Sequence, residues 1–300
     1  MKSNTFAAID IGSNAARLLI KRCDPDAPEG ADPLRKLLLL RVPLRLGFDV
    51  FSKGKVSAKK GENLVRFMKA CRQLVKIYSV DEMRACATSA MRDAENGSEL
   101  IKEVEKEADI KIEIISGEEE ARIVYANHLE SGLADTIGPS LCVDVGGGST
   151  EINFISDGEL RRSLSFNIGT VRLLTGKVRP REWERLNTEL SSLAADFGPM
   201  TIIGSGGNIN KLYKMASVKD EALGSFPVEE LSRLYHLLRP LSVEQRMSIY
   251  SLRPDRADVI IPAAEIFLNV ASLVRAERIV VPVVGVADGI IDSLYSRCGC

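Results

Sequence analysis

The sequence predicts an α/β protein made of two domains of like fold. Three observations carry that prediction. With 300 residues and a hydrophobic share of 45%, the chain is longer than one typical domain and has the apolar content of a packed globular protein. A strand, an Asp-x-Gly turn and a second strand occur at residues 6–20 and again at 140–156. A repeat on that scale marks a duplicated unit. Around the two copies, strand-like runs alternate with segments of helical periodicity, the pattern of α/β units.

The elements follow in order. FAAIDIG reads as a strand closing on Asp10-Ile11-Gly12, and RLLIKRC as its hairpin return. Residues 34–44, rich in Leu and Val, predict a third strand. Leu64, Phe67, Met68, Cys71, Leu74, Val75 and Tyr78 share one face of a helix that Ser57 can cap. MRACATS is strand-like, Asn96-Gly97 makes a break, and Ser98 can cap a short helix to about residue 108. KIEII alternates as a strand, and ISGEEEARIVY (115–125) then opens a helix to about residue 130.

SGLADTIGP (131–139) reads as a connection, after which the pattern restarts. SLCVDVG is a strand, GGST its turn and EINFIS its return, with Asp157-Gly158 a hairpin turn into ELRRSLSF. RLNTELSSLAADF is amphipathic, with Trp183 near its start as a packing residue. A strand MTIIG, amphipathic helices between about 208 and 273, a strand RIVVPVV and a helix to about residue 297 complete the chain. The expected domains are residues 1–130 and 131–300, with the last helix, about 286–297, able to pack on the first.

Composition narrows the function classes. The net charge of -1 gives no global basic field, so neither nucleic acid nor an anionic membrane is an expected partner. No apolar run reaches the roughly 18 residues that span a bilayer. The start lacks the apolar core of a signal peptide, so a cytoplasmic location is expected. Six cysteines are scattered; Cys71 and Cys142 sit in apolar patterns, and only Cys298-Gly-Cys300 is close-spaced, without the second pair a metal site needs. His128 and His236 fall in helical segments and carry no expected catalytic role.

The chemistry concentrates in the two turns. DIGSNAARL and DVGGGSTE each put an Asp at the end of a buried strand, followed by small residues. Gly12, Ser13 and Asn14 in the first, and Gly146, Gly147, Gly148, Ser149 and Thr150 in the second, let main-chain amides and short side chains line an anion. An Asp beside bound phosphate repels it unless a cation lies between. Asp10 and Asp144 therefore imply Mg²⁺, held through waters and phosphate oxygens, with Glu151 able to join it. Neither turn is a Walker loop or a G-x-G-x-x-G motif, and neither opens a helix, which argues against a Rossmann dinucleotide site.

AAIDIGSNAARLLI, CATSAMRDAENG, ISGEEEARIVY and CVDVGGGSTEINF, in this order and spacing, resemble the exopolyphosphatase / guanosine pentaphosphate phosphatase family of the actin, heat-shock-70 and sugar-kinase superfamily. RLGFDVFSKGKVS, SFNIGTVRL and RPDRADVIIPAAEIF look like weaker family segments. The resemblance implies two ribonuclease-H-like (actin-like) domains with a cleft between them. It also implies Mg²⁺ and removal of terminal phosphates from polyphosphate, the favoured substrate, or from guanosine pentaphosphate. A homodimer would be in keeping with the family. Its longer members carry further C-terminal helical domains, so residues 1–300 are expected to hold the two-domain core.

By position in the family motif, Glu120 is the carboxylate that orients the attacking water. Glu119 points about 100° away around the helix, and Glu118 is expected in solvent. Arg92 is the second catalytic candidate, with Thr88 and Ser89 as hydroxyl donors beside it. Arg17 and Arg45 can hold successive phosphates, since guanidinium forks pair bidentately with them. A third glycine turn, GSGGNINKL, adds Ser205 and Gly206. Three positions depart from the family pattern: Ala15 stands where Ser is usual, GSGGN replaces Thr-Ser-Gly-Thr, and GVADG replaces Gly-x-Arg-Glu-Gly. Two other classes are weaker readings. A kinase or chaperone-like ATPase needs an adenosine pocket, and a kinase also needs a base facing a sugar. A non-enzymatic sensor of polyphosphate or an alarmone is suggested by the departures.

Overall fold

The computed structural model describes residues 4–24, 26–28, 32–130, 138–282 and 285–298; most of the expected 131–139 connection lies outside them. The chain divides into two compact units, Met1–Ser116 with Val286–Cys300, and Gly117–Gly285.

The first unit holds a sheet of β1 (Thr5–Ile11), β2 (Ala16–Cys23), β3 (Leu34–Val42), β4 (Glu82–Ala87) and β5 (Glu113–Ile114) in the order β3-β2-β1-β4-β5. The first three strands form an antiparallel meander, while β4 runs parallel to β1 and β5 parallel to β4. Every residue of β1 is buried, which requires cover on both faces of the sheet. One cover is the last helix, Val286–Cys298, which packs on β1, β2 and β4. Phe6 meets Tyr295 edge-on there. Lys21, buried on β2, lies 3.2 Å from Asp288 and 3.7 Å from Asp292 of the same helix.

The second unit holds β6 (Ser140–Val145), β7 (Thr150–Ser156), β8 (Glu159–Phe166), β9 (Thr201–Ser205), β10 (Ser225–Pro227) and β11 (Arg278–Val280) in the order β10-β11-β9-β6-β7-β8. Setting aside β10, its strands repeat the first sheet place for place: an antiparallel meander, then parallel strands. Both units therefore have the ribonuclease-H-like order, and the sequence repeat is a structural duplication. The core packs Leu141, Val143, Ile152 and Phe154 against residues such as Leu186, Leu190, Ile266 and Phe267 of the helices Pro180–Phe197 and Ile260–Leu273. Trp183 is partly buried against that core. Asp157 and Gly158 both adopt positive φ (56° and 72°), as a tight type I′ hairpin demands.

Several local expectations change. The helix Gly117–Glu130 packs on β7 and β8, so the division between the units falls at 116/117 rather than at 130. Ser57 occupies the N-cap of the helix Ala58–Ile77, but its hydroxyl goes to Asp49 instead of the helix. The short helix after the break begins at Gly97, with Asn96 rather than Ser98 at its N-cap. The Asn96 side chain is engaged elsewhere, pairing with both the N–H and the C=O of Val56. Among the described residues of RIVVPVV, the strand covers Arg278–Val280 and stops short of Pro282, which has no N–H for a ladder. Cys23, Cys71, Cys86 and Cys142 are buried thiols outside any disulfide, and burial pushes the Cys71 thiol up to about 12; Cys300 lies outside the described residues. Among those residues, no helix is long and apolar enough to cross a membrane.

Candidate functional site

In the first unit, the Gly12–Ala15 turn closes with the Gly12 N–H donating to the Ala15 carbonyl at 3.1 Å. In the second, the Gly146 N–H donates to the Ser149 carbonyl at 3.0 Å. The segment after the third strand of each unit braces its turn. Arg45 N–H donates to Asn14 O (2.9 Å) and Gly47 N–H to Ser13 O (2.8 Å). In the second unit, Thr170 N–H donates to Gly146 O (3.0 Å) and Val171 N–H to Gly147 O (2.8 Å). The closing bond is the same in both, which puts Asp10 in the place of Asp144, Gly12 of Gly146 and Ser13 of Gly147, while of the bracing bonds only those to Ser13 O and Gly147 O correspond.

The residue facing the Asp is where they part. Register pairs Asp10 with Arg17 and Asp144 with Glu151. Arg17 Nη1 donates to Asp10 Oδ2 at 2.6 Å. The sequence reading gave Asp10 to a cation and Arg17 to phosphate; in the structure they hold one another. In the second unit two carboxylates, 7% and 1% exposed, are direct cross-strand partners, an arrangement that is repulsive without a compensating cation. Ser165 Oγ, on the strand beside, donates to Glu151 Oε1 at 3.0 Å.

Glu120 lies in the first turn of the helix Gly117–Glu130 and is 6% exposed. Glu118 points to solvent with Arg122 near it, as expected. That helix starts directly over Glu151: a Cβ on Gly117 would stand 2.2 Å from Ser165 Oγ and 3.8 Å from Glu151 Oε1. Glu120, Asp144 and Glu151 therefore belong to one unit and one sheet edge. Its third glycine turn joins them: Ser205 is the parallel partner of Asp144, and a Cβ on Gly206 would stand 2.8 Å from Asp144 Oδ1. Ser205 Oγ is buried with no hydrogen-bond partner among the described residues.

Other predicted residues have specific partners. Thr150 donates its hydroxyl to the Ile168 carbonyl at 2.6 Å, so it braces the turn rather than facing an anion. Ser13 and Ser89 share a buried hydroxyl–hydroxyl bond of 2.8 Å, which ties the first turn to the segment after β4. Arg92 Nη1 donates to Ile115 O at 2.7 Å, two residues before the glutamate helix. Arg45 adopts the left-handed region (φ 52°), and its guanidinium lies 4.0 Å from the Phe48 ring centre. Lys60 reaches both the Arg45 carbonyl and Asp49. His236 is bonded to its own helix through Ser232 O.

Sequence reasoning missed Gly169 and Arg172. Gly169 touches the second turn so closely that a Cβ would stand 2.4 Å from Gly148 C, and Arg172 Nε donates to Gly148 O at 2.7 Å. A signal existed: a glycine follows the third strand in both units, Gly47 and Gly169. Also missed were Asn153, Ser163 and Ser165, whose alternation on β7 and β8 puts them on the face of Glu151.

The second unit suits a hard divalent cation. Asp144 and Glu151 offer paired, buried carboxylate oxygens. No cluster of three or more His, Cys, Asp or Glu occurs among the described residues, so water and substrate oxygens would complete the shell, as Mg²⁺ prefers.

A duplicated ribonuclease-H-like fold whose glycine turns can line an anion, with acids at one turn, defines a class of phosphate-handling proteins. Comparison with known proteins narrows it: a family model for the Ppx/GppA phosphatase family matches residues 29–298, and the chain belongs to that family. It is 34% identical over 169 residues to the bifunctional 3-dehydroquinate synthase/phosphatase of Fusobacterium nucleatum, covering 56% of this chain and 25% of that one. It is 30% identical over 178 residues to exopolyphosphatase 1 of Mycobacterium tuberculosis, covering 59% and 48%. The chain thus spans half or less of the length of these curated relatives. Among solved structures, the Aquifex aeolicus Ppx/GppA family member matches with a TM-score of 0.77 and 25% identity over 100% of both chains. An exopolyphosphatase from Cytophaga hutchinsonii matches with a TM-score of 0.84 over 98% of both, and at 23% identity that likeness is one of fold.

Proposed function

We propose that this protein hydrolyses terminal phosphoanhydride bonds with Mg²⁺, releasing phosphate from inorganic polyphosphate. The carrying observation is the second unit's acidic edge. Asp144 and Glu151 face each other across β6 and β7, with the first turn of the Glu120 helix set directly over Glu151. Membership in a phosphatase family and the likeness to an exopolyphosphatase support the same reading.

Phosphoryl transfer to water needs positioning, charge neutralisation and a group that orients the nucleophile. Mg²⁺, held by Asp144 and Glu151, would supply charge neutralisation on the phosphate oxygens. The Gly146–Ser149 turn would line the phosphate through main-chain amides. In the first unit, the Gly12–Asn14 turn, Arg17, held by Asp10, and Arg92, held by Ile115 O, are the proposed phosphate-holding groups. Glu120 accepts a hydrogen bond from the attacking water and takes its proton as the new P–O bond forms and the bridging P–O bond breaks. The shortened chain is the leaving group.

The test measures phosphate release from polyphosphate, guanosine pentaphosphate and ATP with Mg²⁺, for wild type and Glu120→Gln. Release from polyphosphate that falls about 10²–10⁴-fold in the variant and stops on chelation supports the proposal. Release from guanosine pentaphosphate alone moves the substrate to that nucleotide. ATP turnover alone, or full activity in Glu120→Gln, sinks it.

A further inference from the structure

The glutamate helix is pinned to the second sheet at two points one turn apart. The first is Gly117 against Ser165, where a Cβ would stand 2.5 Å from Ser165 Cβ. The second is the Ala121 carbonyl, which accepts a hydrogen bond from Asn153 Nδ2 at 2.7 Å. Glu120 lies between them.

The two pins fit one ladder. Glu151 and Asn153 are two apart on β7, and Ser165 and Ser163 are their cross-strand partners on β8. Two strand residues advance about 6.8 Å, and the four helical residues from 117 to 121 rise about 6 Å. The first helical turn therefore keeps step with the ladder, and Ser165–Glu151 and Ser163–Asn153 form successive rungs beneath it.

The second rung is polar where the fold does not require polarity. Asn153 is 1% exposed. Ile155, two residues on and on the same face, sits in an apolar cluster with Tyr125 of the same helix. An apolar residue at 153 would pack against Ala121 in the same way. Asparagine instead fixes a direction. A carbonyl only accepts, so the amide NH₂ must face Ala121 O. The amide oxygen then turns to β8, where Ser163 Oγ donates to it at 2.6 Å. A satisfied buried network of this kind specifies one arrangement of the elements it joins.

We propose that Asn153, oriented by Ser163, is a positioning residue for Glu120. It fixes the first helical turn so that the carboxylate stands at a set place relative to Glu151. The inference rests on the reading of Glu120 as the group that orients water.

The experiment compares wild type, Asn153→Val, Glu120→Gln and the double variant on polyphosphate with Mg²⁺. Hydrogen exchange of the amides of residues 118–125 is followed in the same proteins. Asn153→Val should lower kcat about 10- to 100-fold, the size expected of a small misplacement, with KM within about twofold of wild type. It should cause no further loss in the Glu120→Gln background, because residues that act as a unit are not additive. The first-turn amides should exchange faster. Ser163→Ala, which removes only the orienting hydroxyl, gives the same comparison with a smaller loss and stands in if Asn153→Val does not fold. Unchanged kcat, an equal loss in both backgrounds, or unchanged exchange would overturn the proposal. If wild type releases no phosphate, or Glu120→Gln keeps full activity, the functional reading falls. The exchange data alone then decide whether Asn153 holds the turn.

Discussion

Gly169 is a glycine for reasons of space, and Gly169→Ala tests the architecture of the second turn. Its backbone is extended (φ -148°, ψ 161°), a conformation open to any residue, so alanine meets no conformational strain. A Cβ, however, would stand 2.4 Å from Gly148 C, 2.5 Å from Gly148 N and 2.6 Å from Gly147 C. All three are backbone atoms of the turn and have no rotamer by which to move aside. Relief to an ordinary contact requires a shift of about 1 Å, and overpacking of this kind costs about 1–3 kcal/mol. At about 2–4 °C per kcal/mol for a unit of this size, the melting temperature should fall by several degrees. If the turn holds the reacting phosphate, a shift of that size should also cut kcat by up to about 10²-fold. Gly176→Ala is the control. Gly176 has φ 65° and nothing within 4 Å of its added Cβ, so alanine there meets left-handed strain of about 1–2 kcal/mol without displacing the turn. Melting curves and phosphate-release kinetics on both variants decide. Gly169→Ala should lose both stability and activity, and Gly176→Ala stability alone. Wild-type melting and kcat in Gly169→Ala would refute the close approach.

Two further tests address the scaffold. The Arg233 fork, working against burial and together with the amides of Ser217 and Val218, holds the Glu230 carboxyl at about 2. A depressed pKa adds stability that is present above the unfolded value, near 4.5, and is lost as pH falls toward 2. Because Arg233 is half-exposed, that contribution is about 2 kcal/mol; Glu230→Gln should lose it in urea melts at pH 7 and little at pH 2, and equal losses at both would contradict the argument. Burial alone would depress the Lys21 ammonium, but Asp288 and Asp292 outweigh it and leave the group raised. Its stabilisation therefore holds at neutral pH and fades as pH rises above 10.5 through the folded value. Lys21→Met leaves two carboxylates facing a buried position and should cost about 3 kcal/mol, partly recovered by adding Asp292→Asn; a loss under about 0.5 kcal/mol would show the cluster to be dispensable.

Much of this was legible in the sequence because it is local. The hairpins, both Asp-x-Gly turns, the Asp157-Gly158 corner and the helix after Ser57 each follow from a few adjacent residues. The allegiance of the Gly117–Glu130 helix was not. Ile123, Val124 and Tyr125 give it an apolar face, but periodicity does not say which sheet that face will meet. Helix Leu46–Lys53 escaped notice because its start is set by tertiary contacts, with Arg45 held in a left-handed conformation by its bonds to Asn14 and Lys60. β10 has three residues, too few for any period to appear. The Asp10–Arg17 pair is a different kind of miss. Once the hairpin is closed at Gly12 and Ala15, counting outward pairs 10 with 17, just as closing at Gly146 and Ser149 pairs 144 with 151.

That pairing distinguishes the two copies of the fold. The two turns share their closing hydrogen bond and their strand order, and they differ in the charge opposite a common aspartate. Arginine there makes the first turn locally neutral through its ion pair with Asp10. Glutamate there makes the second turn doubly acidic, an arrangement that favours a nearby cation. The surrounding charge follows the same division. The first unit carries 22 Lys and Arg against 19 Asp and Glu, and the second 18 against 22. The first copy thus carries a net positive charge and the second a net negative one. A single cross-strand position, occupied by Arg17 in one unit and Glu151 in the other, sets the charge that faces the shared aspartate.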